Sequence, residues 1–169
     1  LYFKGSDGTH GDELWKTDGT EEGTVMVKNI ANTSDTYNSD IYEFQHFNGY
    51  LYFVADSGNY CNQGGKGREL MRTDGTEEGT VLVRDLWEGW NYYCSECAFD
   101  YVGISNLEII PKSGNNPDRV IFSAIHTRGN MGNTSAQEDG TNLGPTGEEL
   151  FISDGTFAGT QMVANIRGE

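Results

Sequence analysis

From Ile41 to Phe47 apolar and polar residues alternate around aromatic side chains, the period of a half-buried strand. Asn48-Gly49 follows, a two-residue type I′ hairpin signal, and Tyr50 to Ala55 returns as a nearly all-apolar strand. After a polar loop, Arg68 to Thr73 predicts a third strand, DGTEEG a turn, and Thr80 to Leu86 a fourth. Upstream, Leu1 to Lys4, Glu13 to Thr17 and Thr24 to Ile30 predict strands two to four of an earlier unit that lacks its opening strand. Downstream lies a third unit with two insertions, the hairpin loop PKSGNNPDR and a polar stretch at 126–147 that holds almost no large apolar side chain. The predicted organisation is a partial unit at 1–31, a complete one at 41–87, a linker at 88–98 and a third unit at 99–167.

The units share one phrase. ELWKTDGTEEGT at 13–24 is rewritten as ELMRTDGTEEGT at 69–80 and as ELFISDGTFAGT at 149–160. Asp18, Asp74 and Asp154 are each followed five positions later by Gly-Thr, whereas the upstream strand retreats from Leu1 to Leu51 to Val120, 17, 23 and 34 positions before the Asp. One connection is fixed by geometry and the others are free to grow. In DGTxxGT the Asp carboxylate is suited to accept backbone N–H groups two or three residues on, Gly19, Gly75 and Gly155 supply a positive φ, and the hydroxyls of Thr20, Thr76 and Thr156 close the turn. Trp15, Met71 and Phe151 stand three positions before each Asp, preceded by Leu14, Leu70 and Leu150, a pattern expected of core positions. The phrase reads as structure rather than chemistry.

ELWKTDGTEEGTVMVKNI, together with LYFKGSDGTHGDELW and FNGYLYFVADSG, resembles the ELWxxDGTxxGT repeat family of large, repetitive, mostly bacterial surface or secreted proteins. The resemblance covers almost the whole chain apart from 88–97 and 126–147, and the turn is similar to the Asp-box of sialidase-like propellers. Phe151 in place of Trp, and Phe157-Ala158 inside the third turn, depart from the pattern. The resemblance implies an all-β fold of β-propeller blades, and four antiparallel strands recurring at 50 to 80 residues suit that architecture. Three blades do not close a ring, so further blades are expected from the same parent chain or from a second copy. A β-trefoil, with three four-stranded units, is the alternative. The start at Leu1, without Met or a signal-like segment, suggests an internal fragment or a processed chain.

Charge narrows the partners. Twenty-six acidic against eleven basic residues give a formal charge of -15, which repels nucleic-acid phosphate and anionic membrane surfaces. No stretch of roughly 20 apolar residues is present for membrane insertion. Cys94 and Cys97 form a CSEC pair and Cys61 lies in the second unit's loop; with no second pair for a four-ligand zinc site, a disulfide fits better, either Cys61 to Cys94 or Cys97, or the CSEC pair closed on itself. Asn32 and Asn133 head glycosylation sequons.

His10, His46 and His126 are scattered, with no nucleophile motif beside them, and arginines are too few for a sialidase site. Glu21-Glu22, Glu77-Glu78 and Glu148-Glu149 read as solvated charge. The loops SDGTHGDE and QEDGTN hold the oxygen ligands that calcium prefers, but no DxDxDG loop assigns them; no other cofactor is implied. The expected function is a noncatalytic extracellular or cell-surface module, scaffold and interaction surface of an adhesive or filament-forming protein. A carbohydrate-binding or calcium-dependent lectin, with Trp87, Trp90, Tyr92 and Tyr93 stacking on sugars, is the alternative, and an Asp-box glycoside hydrolase the third.

Overall fold

A computed structural model describes residues 1–31, 37–56, 68–84, 86, 103–111, 113, 118–125, 148–164 and 166. Among them are eleven strands and no helix. The first sheet holds β1 (Tyr2–Gly5), β2 (Glu13–Lys16) and β3 (Val25–Lys28), in that order. The middle sheet runs β4 (Tyr42–Phe47), β5 (Tyr50–Asp56), β6 (Arg68–Thr73) and β7 (Val81–Arg84). The third runs β8 (Ile104–Ile110), β9 (Arg119–Ile125), β10 (Glu148–Ser153) and β11 (Gln161–Ala164). All pairings are antiparallel between sequence neighbours, and none of the three sheets is closed.

Local chemistry sets these elements. Asn48 and Gly49 take φ of +50° and +81°, the left-handed pair that a type I′ turn demands, and Phe47 pairs with Tyr50 across it. β5 is buried on both faces from Leu51 to Asp56. That burial explains its unbroken apolar run, because a strand covered on both sides has no water-facing positions to alternate.

The middle sheet lies between the other two. Phe53, Ala55 and Met71 on one face pack with Leu14, Val27 and Ile30 of the first unit. Tyr52, Val54, Leu70, Val83 and Leu86 on the other pack with Ile104, Leu107, Val120, Phe122 and Phe151 of the third. The middle sheet thus has a front, carrying Leu70 toward the third unit, and a rear, carrying Met71 toward the first; Leu14 lies on the matching front of the first sheet and Phe151 on the matching rear of the third, and Trp15 and Leu150 take the same slots on the two outer faces. Met71 and Phe151 are buried; Trp15, on the rear of the first sheet, is only half-buried.

The opening strands β4 and β8 run side by side. The Tyr42 hydroxyl donates to the Ile104 carbonyl at 2.9 Å and Gln45 Nε2 donates to the Leu107 carbonyl at 3.0 Å. Both strands are irregular at the same place, with register shifts between Tyr42 and Gln45 and between Ser105 and Glu108. Glu43 and Asn106 take φ of +58° and +57° there. Aligned bulges of this kind bend both strands alike.

Candidate functional site: the DGTxxGT corners and their clasp

The repeated phrase connects β2 to β3, β6 to β7 and β10 to β11, the last two strands of each sheet. Asp18 Oδ1 accepts the Thr20 N–H at 3.0 Å and the Thr20 hydroxyl at 2.7 Å, and the Thr20 oxygen accepts the Gly23 N–H at 2.9 Å. Asp74 and Asp154 repeat this with Thr76 and Gly79, and with Thr156 and Gly159. Hydrogen bonds from these threonine hydroxyls hold all three carboxyls below their ordinary value of 3.8. A second path runs beside the first. Thr24 donates its hydroxyl to the Thr20 carbonyl at 2.6 Å, so across the 2.7 Å gap Thr17 must be the donor to Thr24; Thr17 accepts the Gly19 N–H in turn. Thr73 with Thr80, and Ser153 with Thr160, do the same.

Steric fit fixes the glycines. Gly19, Gly75 and Gly155 have φ of +96°, +92° and +88°. Gly23, Gly79 and Gly159 are demanded by a different constraint: a Cβ there would lie 1.9 to 2.0 Å from the Asp carboxylate oxygen. The five-residue interval is therefore a contact distance.

The glutamate that opens each phrase is buried. Glu13 accepts the Ile30 N–H at 2.8 Å and the Ala31 N–H at 3.2 Å, and takes the Ser39 hydroxyl as well. Glu69 accepts the Leu86 N–H at 3.1 Å and Glu149 the Ile166 N–H at 2.5 Å, each 17 positions on. Burial pushes the Glu13 carboxyl up, against the pull of Ser39 and the two amides. Glu149 is thus not the solvated charge expected of Glu148-Glu149: it is fully buried, and its Oε1 has no partner among the described residues. Glu148 is exposed but occupied, taking the hydroxyls of Ser105 and Ser123 at 2.9 and 2.6 Å, which hold its carboxyl low. Patterning misled the expectation because it does not count backbone donors far along the chain. The constant interval to an apolar residue, Ile30, Leu86 or Ile166, was the available signal.

Side chains from the front of one sheet reach the corner of the next. Lys16 Nζ donates to the Gly75 carbonyl at 2.7 Å and Lys28 Nζ to the Thr80 carbonyl at 2.9 Å. One sheet on, Arg72 Nη1 donates to the Gly155 carbonyl at 2.7 Å and Arg84 Nη1 to the Thr160 carbonyl. Tyr2 and Tyr52 lay their hydroxyls over Gly75 and Gly155, so close that a Cβ on either glycine would sit 2.5 or 1.9 Å from the oxygen. Both ties are therefore made by one tyrosine and two cations on one side and two backbone positions, a glycine and a threonine, on the other.

Other expected sites divide by position. In SDGTHGDE, Asp7 Oδ1 accepts the Thr9 and His10 N–H groups and Oδ2 meets His10 Nδ1 at 2.7 Å. Those bonds bring the Asp7 carboxyl down to about 2 and occupy the oxygens a calcium ion would use. No group of three His, Cys, Asp or Glu gathers among the described residues. Cys61, Cys94, Cys97, Asn32, Asn133, His126, the loop QEDGTN, the linker 88–98, the insertion 126–147 and the aromatics Trp87, Trp90, Tyr92 and Tyr93 lie outside the described residues. The chain matches no protein-family model, no curated protein and no solved structure.

Proposed function

We propose that this chain is a noncatalytic extracellular module, a run of β-propeller blades that serves as scaffold and interaction surface in a surface, adhesive or filament-forming protein. The observation that carries the reading is the tie repeated between successive sheets: Tyr2, Lys16 and Lys28 on the middle sheet's corner, then Tyr52, Arg72 and Arg84 on the third sheet's. Blades of a propeller relate to one another by such a repeated step. Pairing of strands only within a unit, face-to-face cores and adjacent opening strands support blades over a trefoil, whose units share one barrel. The corner hydrogen bonds consume the groups that chemistry would need, which favours a structural role. The charge of -15 and the sequons at Asn32 and Asn133 suit an extracellular setting.

Cryo-electron microscopy of the native assembly tests the reading. Four-stranded blades around an axis are expected, with β4 and β8 innermost and the three corners on the rim. A barrel built jointly by the three units would overturn it. Turnover of aryl glycosides by the purified chain would overturn its noncatalytic part.

A further inference from the structure

The three units are not equivalent in what they reach with. Aligned on LYF, LYF and VIF and on the Asp of the corner, the positions of Tyr2, Lys16 and Lys28 are filled by Tyr52, Arg72 and Arg84 in the second unit. In the third they are Ile121, Ile152 and Ala164. All three polar prongs are replaced by apolar side chains. The apolar slots of the same face persist: Val27 and Val83 are 5% and 4% exposed, and their counterpart Val163 is 52%; Ile30 and Leu86 are 6% and 3%, and Ile166 is 70%.

The opposite end of the stack is complementary in the other sense. On the rear of the first sheet Phe3 and Trp15 are half-buried, whereas Phe53 and Phe122, and Met71 and Phe151, which fill the same two slots, are buried under a preceding front; Met26 beside Trp15 is half-buried, as its counterparts Leu82 and Met162 are. Trp15 Nε1 is shielded and has no hydrogen-bond partner among the described residues. Nothing lies within 4 Å of a Cβ built on Gly19, where Gly75 and Gly155 each meet a tyrosine hydroxyl. The Gly19 and Thr24 carbonyls, counterparts of those that accept Lys16, Lys28, Arg72 and Arg84, receive no side-chain donor among the described residues. Asp18, Glu21 and Glu22 make this corner acidic.

We propose that the rear face of the first sheet is a docking surface for a further four-stranded sheet of this kind, one whose front carries a tyrosine and two Lys or Arg residues twelve positions apart, as Lys16 with Lys28 and Arg72 with Arg84 are. The aromatic plate takes the partner's apolar front, and the acidic corner with its open carbonyls takes the cations. This chain's own third sheet is not that partner, because Ile121, Ile152 and Ala164 donate nothing. The inference rests on the stacked-sheet reading of the function, but does not need the ring to close.

Sedimentation velocity of the full chain tests it, with Ile121→Tyr/Ile152→Arg/Ala164→Arg rebuilding the prongs on the third sheet. The variant is expected to self-associate head to tail at least about tenfold more tightly than the parent, an effect of about 1.4 kcal/mol. Salt should weaken that association, and adding Trp15→Asp or Met26→Glu should remove it. The pair Ile152→Arg/Ala164→Arg is made alongside in case the triple variant melts early by circular dichroism. A folded variant that sediments like the parent overturns the inference, as does parent association that Trp15→Asp abolishes, since prongs would then be unnecessary. Either result leaves the blade arrangement standing, whereas a shared barrel seen by microscopy ends the functional reading whatever the sedimentation shows.

Discussion

At the residue scale, a carboxylate and a missing methyl group share one space in each corner. Gly79→Ala is expected to destabilise the fold by about 1–3 kcal/mol, because its Cβ would stand 2.0 Å from Asp74 Oδ1. In an Asp74→Ala background that penalty should shrink, and a double-mutant cycle by urea unfolding reads the difference. The same carboxylates set the acid limit. Folded Asp18, Asp74 and Asp154 bind protons more weakly than their ordinary value of 3.8, so their stabilisation is present above that pH and is lost as pH falls through the lower folded values. Glu13 acts in the reverse sense: its raised folded value contributes below 4.5 and fades as pH rises through it. With Asp7 and Glu148 also held low, five depressed carboxyls against one raised predict a melting temperature that drops below about pH 4. Asp18→Asn/Asp74→Asn/Asp154→Asn should remove part of that drop and leave the share of Asp7 and Glu148. The corner was legible in the sequence because its bonds span at most seven residues and recur three times. The contact between Asp and the second glycine was not, since spacing records an interval without saying what fills it.

At the element scale, the buried glutamates Glu13, Glu69 and Glu149 fasten the chain leaving the fourth strand of each unit to the start of the third. Truncating one leaves backbone donors unpaired in a dry place. Glu13→Ala is expected to cost about 3 kcal/mol, and hydrogen exchange should quicken at the Ile30 and Ala31 amides more than at Val27. Equal quickening throughout the first sheet would mean a general loosening and no specific fastening. Strand positions were legible wherever period-two patterning met a turn signal, as at Asn48-Gly49. The bulges at Glu43 and Asn106 escaped notice because glutamate does not advertise a left-handed φ, and Asn106, although asparagine favours one more than most residues, stands between Ser105 and Leu107 with no glycine beside it to signal a break in the strand.

On the scale of the whole molecule, stability is distributed by which faces are covered. Val83 and Val163 occupy one slot of the repeat, yet the first is 4% exposed and the second 52%. Val83→Ala should cost about 2 kcal/mol and Val163→Ala under about 0.5 kcal/mol in the isolated chain, as measured by denaturant unfolding. Equal costs would mean that the third sheet's front is covered. The all-apolar run from Leu51 to Ala55 announced a strand buried on both sides, but not its neighbours. Identifying those takes coordinates, because the ties from Lys16 to Gly75 and from Arg72 to Gly155 span 59 and 83 positions and leave only an isolated cation in the sequence.

Each joint has a giving side and a receiving side, and successive joints point the same way. A two-fold dimer through either terminal plate would press like against like, aromatic rings and acceptor carbonyls against the same at one pole or aliphatic skin against aliphatic skin at the other, with no prong meeting a socket. A further sheet docked as we propose would accordingly add in one direction only, and every member would keep the same heading.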